Sequence, residues 1–211
     1  EHKIIRSLFN GSRGPMLRKA TAIDWAGDPL DEVQERFIPL HGERNFEEML
    51  AHFKDYTDVI GDHPQNLVST SLGLNAFALT GEISYRNWVL EYVDAWLNRT
   101  KENSGIIPTN IGLDGTIGGA CDGKWYGGCY GWGFTVEVPQ TGAMSSRNTH
   151  HLGLSGFGNG LLLSGDQKYV DVWRKMIDTI NSNAKEIDGQ QMYPHMYGDD
   201  GWYEYRPHPY S

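Results

Sequence analysis

The chain has 211 residues with 18 basic and 27 acidic side chains, which gives a formal net charge of −9 at pH 7. This acidic balance argues against a nucleic-acid binder, which would present a basic surface to phosphates. No stretch reaches the roughly 20 apolar residues of a membrane span, so we expect one globular domain without membrane contact. The unusual feature is the content of 26 Gly, 7 Trp and 11 Tyr.

The N-terminal part of the sequence predicts few long secondary-structure elements. Gly and Pro interrupt residues 1–30, so we expect an extended lead-in with one short helix near 16–22. A second short helix is predicted at 31–36, before Pro39. Apolar residues recur at helical spacing within 44–56, which predicts an amphipathic helix.

Four further helices are predicted in two pairs. In each pair, a helix that is apolar on most sides and sparsely charged precedes an amphipathic helix. The predicted helices span residues 65–79, 84–99, 149–163 and 167–183. Two long segments rich in Gly and aromatic residues, 103–141 and 189–211, show no convincing period. Long segments of this kind are usually functional, and we expect both to be loops.

The two pairs share a sequence signature at the turn between their helices. Leu79 to Tyr85 and Leu163 to Tyr169 both fit the pattern L-[TS]-G-[ED]-x-x-Y, about 84 residues apart. Helix hairpins that recur in this way stack side by side and bury each other's faces.

This pattern, over residues 62–183, resembles the (α/α) toroid, or six-hairpin, fold of glycoside hydrolases and polysaccharide lyases. The resemblance implies an all-α fold of repeated helix hairpins, in which segments 103–141 and 189–211 line a glycan-binding cleft. A complete toroid has roughly five to seven hairpins and this chain offers about three. We therefore expect residues 1–211 to form one toroid-type domain or part of one, whose partners are a polysaccharide and the remainder of a longer chain.

The two long segments carry the candidate substrate-binding residues. Aromatic rings stack on sugar faces, while polar groups fix the orientation of the sugar and Arg can hold a carboxylate bidentately. The candidates are Lys124, Trp125, Trp132, His195, Tyr197, Trp202, Tyr203 and Arg206. The alternative is that these rings pack the segments onto the helices.

A lyase that acts on a uronate-containing glycan needs three groups. One neutralises the carboxylate, one removes the C5 proton, and one protonates the leaving oxygen. The candidate catalytic residues are Tyr126, Tyr130, Arg147, Asn148, His150 and His151. The cluster at 147–151 is similar to the Asn-Asn-His element of several toroid lyases, with Thr149 between its Asn and His. Alternatively, Asn148 caps the helix that follows.

Two other functions are consistent with the same residues. A glycoside hydrolase needs two carboxyl groups about 5–5.5 Å apart for retention or about 6.5–9.5 Å apart for inversion. The candidates for this pair are Asp114 and Asp200. The third hypothesis is a glycan-binding helical-repeat protein without catalysis.

We expect no metal and no cofactor. Cys121 and Cys129 form no zinc-ligand spacing with each other or with a His, and they are either bridged or free. The glycines of 111–133 do not form a phosphate- or dinucleotide-binding loop. A polysaccharide lyase would act in a secreted or periplasmic location, which is where we expect this chain.

Overall fold

The computed structural model describes residues 1–8, 46–47, 59–119, 121–127, 132, 135–137, 144–146 and 152–211. Within these ranges the helices are a 3-10 helix at Pro64–Ser69, α1 at Thr70–Thr80, α2 at Ile83–Glu102, α3 at Gly153–Ser164 and α4 at Lys168–Asn181. The strands are β1 at Ser7–Leu8, β2 at Val59–Gly61, β3 at Thr135–Glu137, β4 at Met144–Ser146, β5 at Lys185–Ile187, β6 at Gln190–Gly198 and β7 at Gly201–Arg206.

The prediction of an all-α fold of repeated hairpins is wrong, because the described chain is mixed α and β. Strands β5, β6 and β7 form an antiparallel sheet, and β1–β2 and β3–β4 form two smaller antiparallel pairs. The predicted loop 189–211 contains most of the three-stranded sheet. Its Tyr and Trp residues favour strands as well as ligand surfaces, and the sequence argument considered only the second role.

A local turn signal also marks this sheet. Asp188 and Gly189 join β5 to β6 with positive φ values of 52° and 76°. A two-residue Asp-Gly turn with both residues in the left-handed region is a strong hairpin signal, since its twist matches that of the strands. The turn therefore specifies the hairpin that the sequence analysis missed.

The four helices predicted from residue 65 onward are confirmed as helical regions. The first begins with the 3-10 helix, whose N-terminal Pro64 is buried, before it continues as α1. The helices predicted at 16–22 and 31–36 lie outside the described residues. Of the helix predicted at 44–56, only Phe46 and Glu47 are described, and both are helical.

The shared turn signature produces the same geometry in both hairpins. Gly81 and Gly165 end α1 and α3 in the left-handed conformation, with φ and ψ of 69° and 5° and of 72° and 5°. Thr80 and Ser164 each donate their hydroxyl to the carbonyl four residues earlier at 2.7 Å, and each accepts the N–H two residues later at 3.1 Å. Glycine is favoured after the helix because its missing Cβ removes the penalty of this conformation.

The buried core lies between the helices and also includes Ile106, Ile107, Ile111 and Trp132 from the chain that follows α2. Trp96 of α2, Phe157 of α3 and Met176 of α4 are all buried in it. The 3-10 helix and α3 approach so closely that a Cβ on Gly156 would lie 2.5 Å from Leu67 Cδ2. The helices position residues 103–127 and the β6–β7 hairpin, which carry the candidate site.

Candidate functional site

Two buried polar residues, Thr109 and Asn110, fix the chain segment that follows α2. The backbone N–H and the hydroxyl of Thr109 lie 2.7 and 2.8 Å from the carbonyl oxygen of Trp125. The amide of Asn110 donates to the carbonyl oxygen of Lys124 at 2.8 Å. The backbone of Lys124 and Trp125 is thereby held in place from within the protein.

Four partly exposed aromatic side chains form one surface, which we call the aromatic face: Trp125, Tyr126, Tyr197 and Trp202. The ring centroid of Tyr197 lies 4.7 Å from that of Trp125, 5.2 Å from that of Tyr126 and 4.9 Å from that of Trp202. Tyr197 and Trp202 are direct partners across the β6–β7 hairpin. The structure therefore brings residues from both predicted segments together.

A charged cluster lies at one edge of the aromatic face. Lys124 Nζ lies 2.8 Å from both carboxylate oxygens of Asp199, and the Tyr126 hydroxyl donates a hydrogen bond to the same carboxylate. These two bonds lower the pKa of Asp199. The hydrogen bond to Asp199 raises the pKa of Tyr126 and likewise that of Lys124. Tyr126 therefore keeps its proton at neutral pH.

Trp132, a predicted substrate-binding residue, lies beneath the aromatic face. Its side chain is fully buried, and its ring centroid lies 5.6 Å from those of Trp202 and Tyr210. A ring in this position supports Trp202 from the core and presents no surface on which a sugar could stack.

The remaining predicted binding residues lie along the β6–β7 hairpin. The imidazole of His195 packs 5.5 Å from the Tyr210 ring, and burial lowers its pKa. Tyr203 pairs with Met196 and points to the side of the hairpin opposite Trp202, because successive strand residues alternate. Arg206 forms an ion pair with Glu204 at 3.0 Å.

Most of the predicted catalytic residues lie outside the described part of the chain. These are Tyr130, Arg147, Asn148, His150 and His151. The flanking elements are described: β4 ends at Ser146, and Leu152 precedes α3. The predicted roles of these five residues remain predictions.

The two carboxylates of the hydrolase hypothesis have different environments. Asp114 accepts the backbone N–H of Thr116 at 2.9 Å, and this bond lowers its pKa. It therefore stabilises its own turn. Asp200 is exposed in the β6–β7 turn, and its neighbour Asp199 is the carboxylate that contacts Lys124.

The sequence analysis missed a buried polar cluster around Asp62, whose side chain is 2% exposed. The Asp62 carboxylate accepts hydrogen bonds from the backbone N–H of Ile5 at 3.0 Å and of His63 at 2.8 Å. The side chain of Asn66 donates to it at 2.7 Å, and the Tyr92 hydroxyl lies 2.9 and 3.0 Å from its two oxygens. The sequence could not show this cluster, because Ile5 and Tyr92 lie 57 and 30 residues from Asp62 along the chain.

This cluster attaches the N-terminal residues to α2. Arg99 of α2 donates to the carbonyl oxygen of Lys3 at 3.1 Å and also to that of His2. Burial raises the pKa of Asp62, and hydrogen bonds partly offset that effect. Burial and the charge of Asp62 also raise the pKa of Tyr92, so its hydroxyl stays a donor. The cluster is saturated with internal bonds, which indicates a structural role.

His63 makes the stability of the protein depend on pH. Burial lowers its pKa from 6.5 to about 4, so between these values the unfolded chain binds more protons than the folded one. We expect the free energy of unfolding to fall by up to about 3 kcal/mol as the pH falls through this range. Denaturant unfolding at a series of pH values would measure the loss.

The matched variant for this test is His63→Gln, which cannot titrate in this range. Its unfolding free energy should fall less than that of the parent between neutral pH and pH about 4. If the unfolding free energies of the two proteins fall equally with pH, His63 is not the cause of the pH dependence.

The comparisons with known proteins identify a family. A family model described as a domain of unknown function (DUF8034) matches residues 1–196. No curated protein and no solved structure matches the chain. Among the described residues, no helix is both long and apolar enough to cross a membrane, and no group of three or more His, Cys, Asp or Glu could hold a metal ion.

Proposed function

We propose that this chain, which belongs to the DUF8034 family, binds a polysaccharide on its aromatic face and cleaves it beside Tyr126. One observation carries the proposal: partly exposed rings from two distant segments adjoin the cluster of Lys124, Asp199 and Tyr126. In this cluster the Lys124 ammonium lies 2.8 Å from both carboxylate oxygens of Asp199. Rings that line a surface together with a few placed polar groups are typical of carbohydrate sites.

The aromatic face suits a sugar chain in its chemistry. The C–H faces of sugars are apolar, so they gain from stacking on Trp125 and Trp202, while Lys124 and Asp199 offer a donor and an acceptor to hydroxyl groups. The ammonium of Lys124 also provides a positive charge in a chain whose net charge is −9. Because Asp199 already pairs with this ammonium, a substrate carboxylate would bind at that edge by replacing Asp199 as the partner of Lys124.

The reaction that we propose is β-elimination on a uronate-containing glycan. A base removes the proton from C5, the electron pair forms the C4–C5 double bond, and the bond from C4 to the glycosidic oxygen breaks. Tyr126, whose raised pKa keeps it protonated, would donate its proton to the leaving oxygen. The base in this proposal is His150 or His151.

Product analysis tests this function. We expect incubation with uronate polysaccharides to raise both the ultraviolet absorbance of unsaturated ends and the number of reducing ends. A neutral glucan serves as the control substrate and should give neither signal. Replacing His150 and His151 together with Ala should abolish both signals, because the proposed base is lost.

Other outcomes separate the remaining hypotheses. Reducing ends without the absorbance would contradict elimination and indicate hydrolysis. Retention on a uronate polysaccharide column with no product would contradict cleavage and leave a binding protein. Full activity of the double His variant would exclude both histidines as the base.

A further inference from the structure

The contact between the two helix hairpins contains polar bonds that connect matching parts of the repeat. Asn159 of α3 is 8% exposed and donates to the hydroxyls of Thr70 and Ser71 at the start of α1, at 2.8 and 3.0 Å. The Tyr169 hydroxyl of α4 donates to Asp94 of α2 at 2.9 Å. In these three bonds the second hairpin supplies the donors and the first supplies the acceptors, while Arg86 of α2 donates in the other direction to the carbonyl oxygen of Leu163 at 3.2 Å.

The same donors occur on the first hairpin, where they are exposed. An offset of 84 residues relates Asn159 to Asn75 and Tyr169 to Tyr85. Asn75 is exposed, Tyr85 is 39% exposed, and Trp88 beside it is 42% exposed. We call these three residues the donor edge.

The same kind of acceptors occur on the second hairpin, and they too are exposed. The offset relates Ser71 to Ser155 and Asp94 to Asp178, and both Ser155 and Asp178 are exposed. Leu154, beside Ser155, is 52% exposed and adds apolar area. We call Leu154, Ser155 and Asp178 the acceptor edge.

We propose that the donor edge of one copy of this chain binds the acceptor edge of a second copy. In this interface Asn75 donates to Ser155 and Tyr85 donates to Asp178, repeating the bonds that join the two hairpins within one copy. Trp88 and Leu154 supply apolar area around these polar bonds. The interface does not depend on the proposed polysaccharide activity.

This interface joins two different surfaces, so each copy has one edge of each kind to offer. Such head-to-tail contacts continue until they close into a ring or extend into a chain of copies. A second copy fits because its Ser155 and Asp178 match two of the three acceptors that bind these donors inside the protein, while Leu154 takes the place of the third, Thr70. The tested property is therefore the self-association of the chain.

Sedimentation velocity over a range of protein concentrations tests the proposal. We expect the parent to associate, and Tyr85→Glu to weaken association about tenfold or more, because it places a carboxylate opposite Asp178. An equimolar mixture of Tyr85→Glu and Asp178→Lys should associate more strongly than Tyr85→Glu alone, because each mixed contact joins either the new Glu to the new Lys or the unchanged Tyr85 to the unchanged Asp178. Asn87→Glu and Glu186→Lys make the same charge changes at exposed positions outside both edges and should associate like the parent.

Disulfide capture gives the register of the contact. Under mild oxidation, a mixture of Asn75→Cys and Ser155→Cys chains should form a cross-linked dimer between the two variants. Ser71→Cys with Asn159→Cys in one chain is the control, and it should cross-link within a single copy because those side chains touch. Circular dichroism would verify that each variant is folded.

The results that overturn the proposal are specific. A parent that remains monomeric at every concentration excludes the second copy as the occupant of these edges. If Tyr85→Glu associates as strongly as the parent, another surface is responsible for the association. A dimer between positions 75 and 155 that forms no faster than random collision would also exclude the proposed register.

Discussion

Replacing Asp62 with Ala is expected to lower the free energy of unfolding by about 3–5 kcal/mol. The substitution removes the acceptor for Tyr92, Asn66 and the N–H of Ile5, and it leaves these donors without their buried partner. Denaturant unfolding followed by Trp fluorescence would measure the loss. Residues 1–8 should also become more susceptible to proteolysis, because the Ile5 contact is lost.

Two further variants, Asp62→Asn and Asp114→Asn, are compared with Asp62→Ala. Asp62→Asn keeps the size of the side chain, but its amide group would place a donor against the donors of the cluster. We therefore expect it to lower the free energy of unfolding nearly as much as Asp62→Ala does. Asp114→Asn is the matched control at an exposed carboxylate and should change stability little. An Asp62→Ala protein as stable as this control would contradict the central role of the cluster.

Replacing Tyr126 with Phe is expected to reduce kcat on a uronate polysaccharide by about 10²–10⁴-fold, the usual contribution of a general acid. The ring would keep its contacts with Trp125 and Tyr197, so KM should change little. Initial rates of unsaturated product formation would measure both constants. This prediction depends on the proposed elimination.

The pH profile distinguishes proton donation from simple positioning. If Tyr126 is the acid, activity should fall at alkaline pH with an apparent pKa higher than that of an ordinary tyrosine, because the hydrogen bond to Asp199 raises the pKa of Tyr126. Asp199→Asn should move this fall to lower pH. Tyr203→Phe, which removes a hydroxyl from the opposite side of the hairpin, should leave the profile unchanged, and a shift in that variant would argue against Tyr126.

The helical part of the fold could be predicted because its signals are local. Apolar periodicity defined α2 and α4, and the repeated Thr/Ser-Gly turn marked the ends of α1 and α3. The β6–β7 hairpin was missed because its rings were assigned to ligand binding. The Asp-Gly turn at 188–189 was a local signal for the β5–β6 hairpin of the same sheet, and it could have identified the segment as β structure.

The residues of the candidate site could be predicted only where the residue type alone indicates a role. Trp125, Tyr197 and Trp202 were chosen as exposed rings, and they do form one surface. Burial is a property of three-dimensional packing, so the sequence could not show that Trp132 lies in the core. Asp200 was chosen only for the hydrolase pair, and that role stays a prediction. The contact of the neighbouring Asp199 with Lys124 depends on the geometry of the turn, which the sequence does not give.

The backbone pairing between Asp62 and Ile111 has a consequence for ligand binding. These residues exchange two hydrogen bonds of 2.8 Å, next to Asn110, which holds the carbonyl of Lys124. The backbone at residues 110, 111 and 124 is therefore held in place before any ligand arrives, and binding loses little conformational entropy there. Weakening this pairing should make ligand binding entropically less favourable while the contacts themselves stay the same.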